Sequence, residues 1–103
     1  MKTVELRKIK NSDGQETAFT FQYFMVMALD WMPKDQGFSM RIMRERQRVV
    51  EAIAKADEEK KEAVELEDAD FKTLKHAVDV MQWPNRFKGI MELGDHLDEV
   101  EAQ

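Results

Sequence analysis

"TVELRKIKNSDGQETAFTF", Thr3 to Phe21, decides the fold class. "TVELRKI" alternates apolar and polar residues, with Val4 and Leu6 on one face, which is the period of a half-buried strand. "NSDGQ" then gathers turn residues, and Asp13-Gly14 marks the reversal because glycine takes positive φ without steric cost. "ETAFTF" resumes the alternation, with Thr17, Phe19 and Phe21 on one face. The stretch reads as a β-hairpin over residues 3–21. A lone hairpin is marginal in water. "AVELE", with Val64 and Leu66 on one face, predicts a short third strand added to it.

The period changes after the hairpin. In "FQYFMVMALDWM" the residues Phe21, Phe24, Met25, Ala28, Leu29 and Met32 fall at helical spacing, and Pro33 ends the helix. Ser39 is placed to cap a second helix, with Ile42, Met43, Val50, Ile53 and Ala54 as its inward stripe up to Asp57. Arg46 projects near that stripe, its stem expected to pack while its head reaches water. Asp68 is the expected cap of a third helix, whose stripe is Phe71, Leu74, Val78 and Met81. "WPN" breaks that helix. Asn85 is the expected cap of a fourth, with Phe87, Ile90, Met91, Gly94, Leu97 and Val100 inward. The fold class is therefore α+β: a small antiparallel sheet, made of the N-terminal hairpin and a short third strand, packed against about four helices. With 103 residues, no repeat and no Pro- or Gly-rich linker, residues 1–103 form one domain.

Composition narrows the function. Charged residues at 36% and hydrophobic residues at 43% fit a folded chain rather than a disordered one. Cysteine is absent, which excludes disulfide scaffolds, thiolate metal sites and cysteine nucleophiles, and suits a reducing compartment. "MKTVELRKIK" has no apolar core of a signal peptide, and no run approaches the ~20 apolar residues that span a bilayer. The net charge of −5 divides unevenly, since residues 1–48 carry nine Lys/Arg against six Asp/Glu and residues 49–103 carry seven against fifteen. That map argues against general coating of nucleic acid and permits contact between copies or with a partner that meets one pole.

Chemistry is scarce. The two serines, Ser12 and Ser39, have local structural roles in a turn and a cap, and neither has a histidine near in sequence. Glu92 with His96, and His76 with Asp79, share helix faces, but two ligands do not make a zinc site. "ELEDAD" lacks the glycine and the terminal glutamate of a calcium loop, and its charge suits a helix N-terminus without any cation. No phosphate loop, dinucleotide fingerprint or kinase motif is present. The expectation is a non-enzyme with no cofactor and no metal.

Two features point outward. "SMRIMRERQR" places Arg41, Arg44 and Arg48 close together at the N-terminal end of a helix, where the dipole disfavours cations. They form a solvated face, with Arg44 and Arg48 paired to acids such as Glu45 or Glu51, a contact for an acidic protein surface, or a set of phosphate contacts. The helix after "WPN" has two basic and five acidic residues, so it is a poor groove reader, although an acidic C-terminal half is also what DNA mimicry needs. The second feature is methionine: five of the eight fall between Met25 and Met43, and methionine suits adaptable binding surfaces. On the first helix Tyr23, Met27 and Trp31 lie off the core stripe. Either the core wraps two sides of that helix, or these three form a patch for self-association.

The run "LEDADFKTLKHAVDVMQWP", together with Phe19–Phe21, the arginines from Arg41 to Arg48, the segment Leu66–Lys75 and the closing Trp83, resembles small accessory proteins encoded by phages and prophages. The resemblance spans most of the chain and rests on structural motifs. It implies an accessory protein in virion assembly or in binding a host factor, located in the bacterial cytoplasm or on the virion. The combined expectation is a protein-binding assembly protein that associates with itself, its contact residues Tyr23, Met27, Trp31, Arg41, Arg44 and Arg48. The alternative is a regulator that binds nucleic acid or the host transcription machinery.

Overall fold

The computed structural model describes residues 1–10, 14–32, 36–84 and 86–103. Along the chain run β1 (Lys2–Glu5), β2 (Lys8–Lys10), β3 (Glu16–Thr20), α1 (Phe21–Asp30), α2 (Met40–Glu58), β4 (Ala63–Leu66), α3 (Asp68–Val80) and α4 (Lys88–Glu101). The class is α+β, as the sequence predicts.

The sheet differs from the expected one. The N-terminal run is two strands, and each joins a separate antiparallel pair. β1 pairs with β4, Val4 opposite Val64, while β2 pairs with β3, Lys8 opposite Thr20. The third strand therefore meets the first half of the N-terminal run and does not extend the hairpin. The cause is a slip in phase. Val4 and Leu6 are buried in one register, but the next buried residue is Ile9, one position late for a period of two. Leu6 and Arg7 take up the slip: the Leu6 N–H donates to the Glu62 carbonyl at 2.8 Å, and the Arg7 carbonyl accepts from the Phe21 N–H at 2.9 Å. Gly14 has the positive φ of +83° that the turn needs, whereas Ser12 and Asp13 lie outside the described residues.

The helices follow their caps. The Thr20 hydroxyl accepts from the Tyr23 N–H at 3.2 Å and opens α1, which buries Phe21, Phe24, Met25, Ala28 and Leu29. The helix ends at Asp30, so Met32 lies past it and is exposed; Pro33 is outside the described residues. Ser39 caps α2 as expected, accepting from the Ile42 N–H at 3.2 Å. The inward face of α2 is rotated from the expected stripe. It consists of Arg46, Val49, Ile53 and Ala56, with Val50 half-buried and Ile42, Met43 and Ala54 exposed. Ile42 sits at the same angle as Arg46, Val49 and Ile53, yet it is exposed, so the first turn of α2 overhangs the body.

In α3 the cap position is Glu67, and Asp68 is the first helical residue. Phe71, Leu74, Val78 and Met81 are buried as expected. In α4 the buried residues are Gly89, Leu93, Leu97 and Val100. Met91, expected inward, is exposed, and Gly94 is half-buried; Asn85 lies outside the described residues. Gly89 is required, because a Cβ there would collide with the side chain of Ile9. Lys75 joins the last two helices, its ammonium 3.0 Å from both Asp79 and Asp98, which offsets part of the acid at the end of α4. Val4, Ile9, Phe21, Met25, Leu74 and Leu93 meet in one core between the sheets and the helices. Among the described residues no helix is long and apolar enough to cross a membrane.

Candidate functional site

Tyr23 and Met27 lie one turn apart on α1, off its buried stripe, with Met27 packed against the margin of the core. Tyr23 is 51% exposed and Met27 is half-buried. They are part of a larger aromatic surface. Phe19, at the end of β3 and 44% exposed, packs its ring centroid 5.7 Å from Tyr23, 5.7 Å from Phe24 and 6.0 Å from Phe87. Phe24 in turn meets Trp83 at 5.9 Å and Phe87 at 5.7 Å. These rings, with Met27 and Ile90, line a cleft of about 230 Å³ open to water. Trp31 belongs elsewhere. It is the C-terminal cap of α1 and lines a separate cleft with Phe38, Arg46 and His76. Tyr23 and Met27 are thus brought together with Phe19, Trp83 and Phe87, and Trp31 is not.

Three of those residues were hidden by their local patterns. Strand alternation puts Phe19 beside Phe21, but β3 ends at Thr20 and the helix turns the chain, so Phe21 enters the core and Phe19 stays out. Trp83 and Phe87 flank the α3–α4 turn, and only tertiary folding brings them to α1.

The arginines of α2 have four different fates. Arg41 pairs with Glu45 at 3.1 Å along the helix. Arg48 reaches across to Asp70 of α3 at 2.8 Å, not to Glu45 or Glu51. Arg44 is exposed and has no carboxylate within 4.0 Å among the described residues. Arg46 corrects the expectation of a head in water, because the residue is only 8% exposed. Its Nη1 donates to the carbonyls of Ala28, Leu29 and Trp31 at 3.1, 3.2 and 3.3 Å, and its guanidinium lies 4.5 Å from the centre of the Phe38 ring. Those carbonyls lie at the end of α1, where the helix dipole is negative, and the Ala28 carbonyl also accepts the Trp31 N–H at 3.3 Å. Burial pushes the Arg46 pKa below its usual value, but an arginine stays charged in protein.

The histidines are kept apart. His76 is exposed in the Trp31 cleft. His96 lies against β1: its Nε2 accepts the Glu5 N–H at 3.0 Å, and its ring stacks on Phe21 at 5.6 Å. Burial pushes its pKa down, against a smaller upward pull from Glu5. Glu92, which shares a helix face with His96, pairs with Arg7 at 3.1 Å, and Asp79 is taken by Lys75. Among the described residues no three His, Asp or Glu side chains gather where they could hold a metal ion.

What the geometry offers is apolar docking, on a cleft of rings with one adaptable methionine. No protein-family model, curated protein or solved structure matches the chain.

Proposed function

We propose that this chain is a non-catalytic assembly protein of phage or prophage type that works by binding protein surfaces, copies of itself included. Its setting is the bacterial cytoplasm or the virion, and this part of the reading rests on the resemblance carried by residues 66–84 and the arginine helix. The observation that supports the docking role is the open aromatic cleft bordered by Phe19, Tyr23, Trp83 and Phe87. Rings are enriched at the centres of protein interfaces, and methionine adapts to what it meets. Covering the exposed parts of Phe19 and Tyr23 is worth about 1 kcal/mol each, before any anchor fills the cleft.

The rival, a regulator on nucleic acid, draws on Arg44. Arg41 and Arg48 are engaged by acids of the same chain and Arg46 is buried, so of the four arginines of α2 Arg44 is, among the described residues, the one left to hold a phosphate. The test is the molar mass in solution across protein concentration, at low and high salt. The wild type is expected above monomer mass, and Tyr23→Asp or Met27→Asp weakens association at least tenfold with the circular dichroism unchanged. A chain that stays monomeric throughout refutes self-association. Duplex DNA binding at low salt that disappears in Arg44→Glu selects the rival.

A further inference from the structure

Along α2, Met40, Met43, Gln47, Val50 and Ala54 recur at alternating steps of three and four, the spacing of a helix-pairing seam. This seam is not the buried face. Met40 is 60% exposed, Met43 48%, Gln47 and Ala54 are exposed, and Val50 is half-buried. It borders α1, and the groove between them is lined by Tyr23, Met27, Ala54 and Asp57. The apolar residues that the sequence places inward on α2 thus lie largely on its outside.

Charge says what covers it. Residues 40–48 of α2 carry four arginines and one glutamate, and residues 49–58 carry three acids and one lysine. Both ends oppose the helix dipole, which favours acids at the N-terminus and cations at the C-terminus. A second α2 running the other way sets each basic half on an acidic half. Arg44, Glu51 and Glu58 flank the seam at steps of seven, so the same edge of the helix is basic at one end and acidic at the other. This is the self-complementary pattern of a two-fold interface.

We infer that two copies of this chain pair through antiparallel α2 helices, with Met43 opposite Ala54 of the other copy, Gln47 opposite Val50, and Arg44 facing Glu51. The overhanging first turn of each α2 then lies on the acidic half of its counterpart, and the Tyr23–Met27 ridge joins the contact from the side. The pairing rests on the self-association proposed above and specifies its geometry.

The test uses the full chain and its lack of cysteine. Arg44→Glu and Glu51→Arg are each expected to weaken dimerisation at least tenfold, and the double swap to restore it to within about threefold. Neither residue is held by a carboxylate or cation among the described residues, so the fold is expected to survive. Met43→Cys mixed with Ala54→Cys forms an intermolecular disulfide, while each variant alone does not, because like positions are about 16 Å apart along the pair. Cross-linking of Met43→Cys with itself, a swap that fails to restore, or an assembly larger than a dimer overturns the antiparallel pair. Loss of association in Tyr23→Asp with none in Arg44→Glu also overturns it, and leaves the broader functional reading standing. A wild type that is monomeric at every concentration overturns both.

Discussion

Arg46 holds together the ends of two helices. Three carbonyls at the end of α1 converge on one terminal nitrogen, and Phe38 covers the guanidinium plane. Arg46→Ala takes the shared guanidinium donor from the three carbonyls, of which Ala28 keeps its bond from the Trp31 N–H, and opens a void, at an expected cost of about 2–4 kcal/mol. The melting temperature is expected to fall by at least about 8 °C, as read by calorimetry. Arg46→Lys keeps the charge but not the planar fork or the stacking, so its stability falls between the two. A melting temperature unchanged in Arg46→Ala would show that the bonds contribute nothing net. His96 acts in the opposite electrostatic sense. It is held neutral by burial while accepting the Glu5 N–H, so the folded state binds the proton less readily than the unfolded chain. Its contribution is fully present above the unfolded value of about 6.5 and is lost as pH falls from there through the lowered folded value. Chemical denaturation between pH 7 and pH 5 is expected to show falling stability, with a shallower fall in His96→Gln. An equal slope in both chains would assign the loss to other groups.

At the scale of elements, the close approach of α4 to β2 depends on one missing side chain. Gly89→Ala drives a methyl into Ile9, and overpacking of this kind costs about 1–3 kcal/mol. The methyl would meet the Cγ2 of Ile9, so Gly89→Ala is expected to cost less in an Ile9→Ala background than in the wild type, measured as the shift in the midpoint of urea unfolding; an equal cost in both would place it elsewhere. The elements themselves were largely legible. Ser39 opens its helix, and the alternation of Val64 and Leu66 marks β4, whereas the Thr20 cap of α1 lies inside a run that reads as strand. The split of the N-terminal run was not legible: the alternation reads as one strand, and the step from Leu6 to Ile9 breaks its period by a single residue. Nor was the face of α2. Apolarity selects Ile42, Met43, Val50, Ile53 and Ala54, and the core selects Arg46, Val49, Ile53 and Ala56. Nothing local reveals that the end of α1 supplies carbonyls for a buried guanidinium. The aromatic cleft was half legible: Tyr23 and Met27 stand off the stripe of their own helix, but Phe19, Trp83 and Phe87 join them from segments that only the tertiary fold brings near.

Across the whole molecule, the two small sheets are stitched by the first ten residues. β1 finds its partner in β4, about sixty residues later, and α4 closes over it through His96. A nascent chain leaving the ribosome can close the β2–β3 hairpin early and begin α1. Val4 must wait for Val64. At 5–20 residues per second that interval is roughly 3–12 s, during which β1 has no strand to pair with. Through that window the growing polypeptide exposes "TVEL" as an unpaired edge, the kind of backbone that invites aggregation with neighbouring nascent chains.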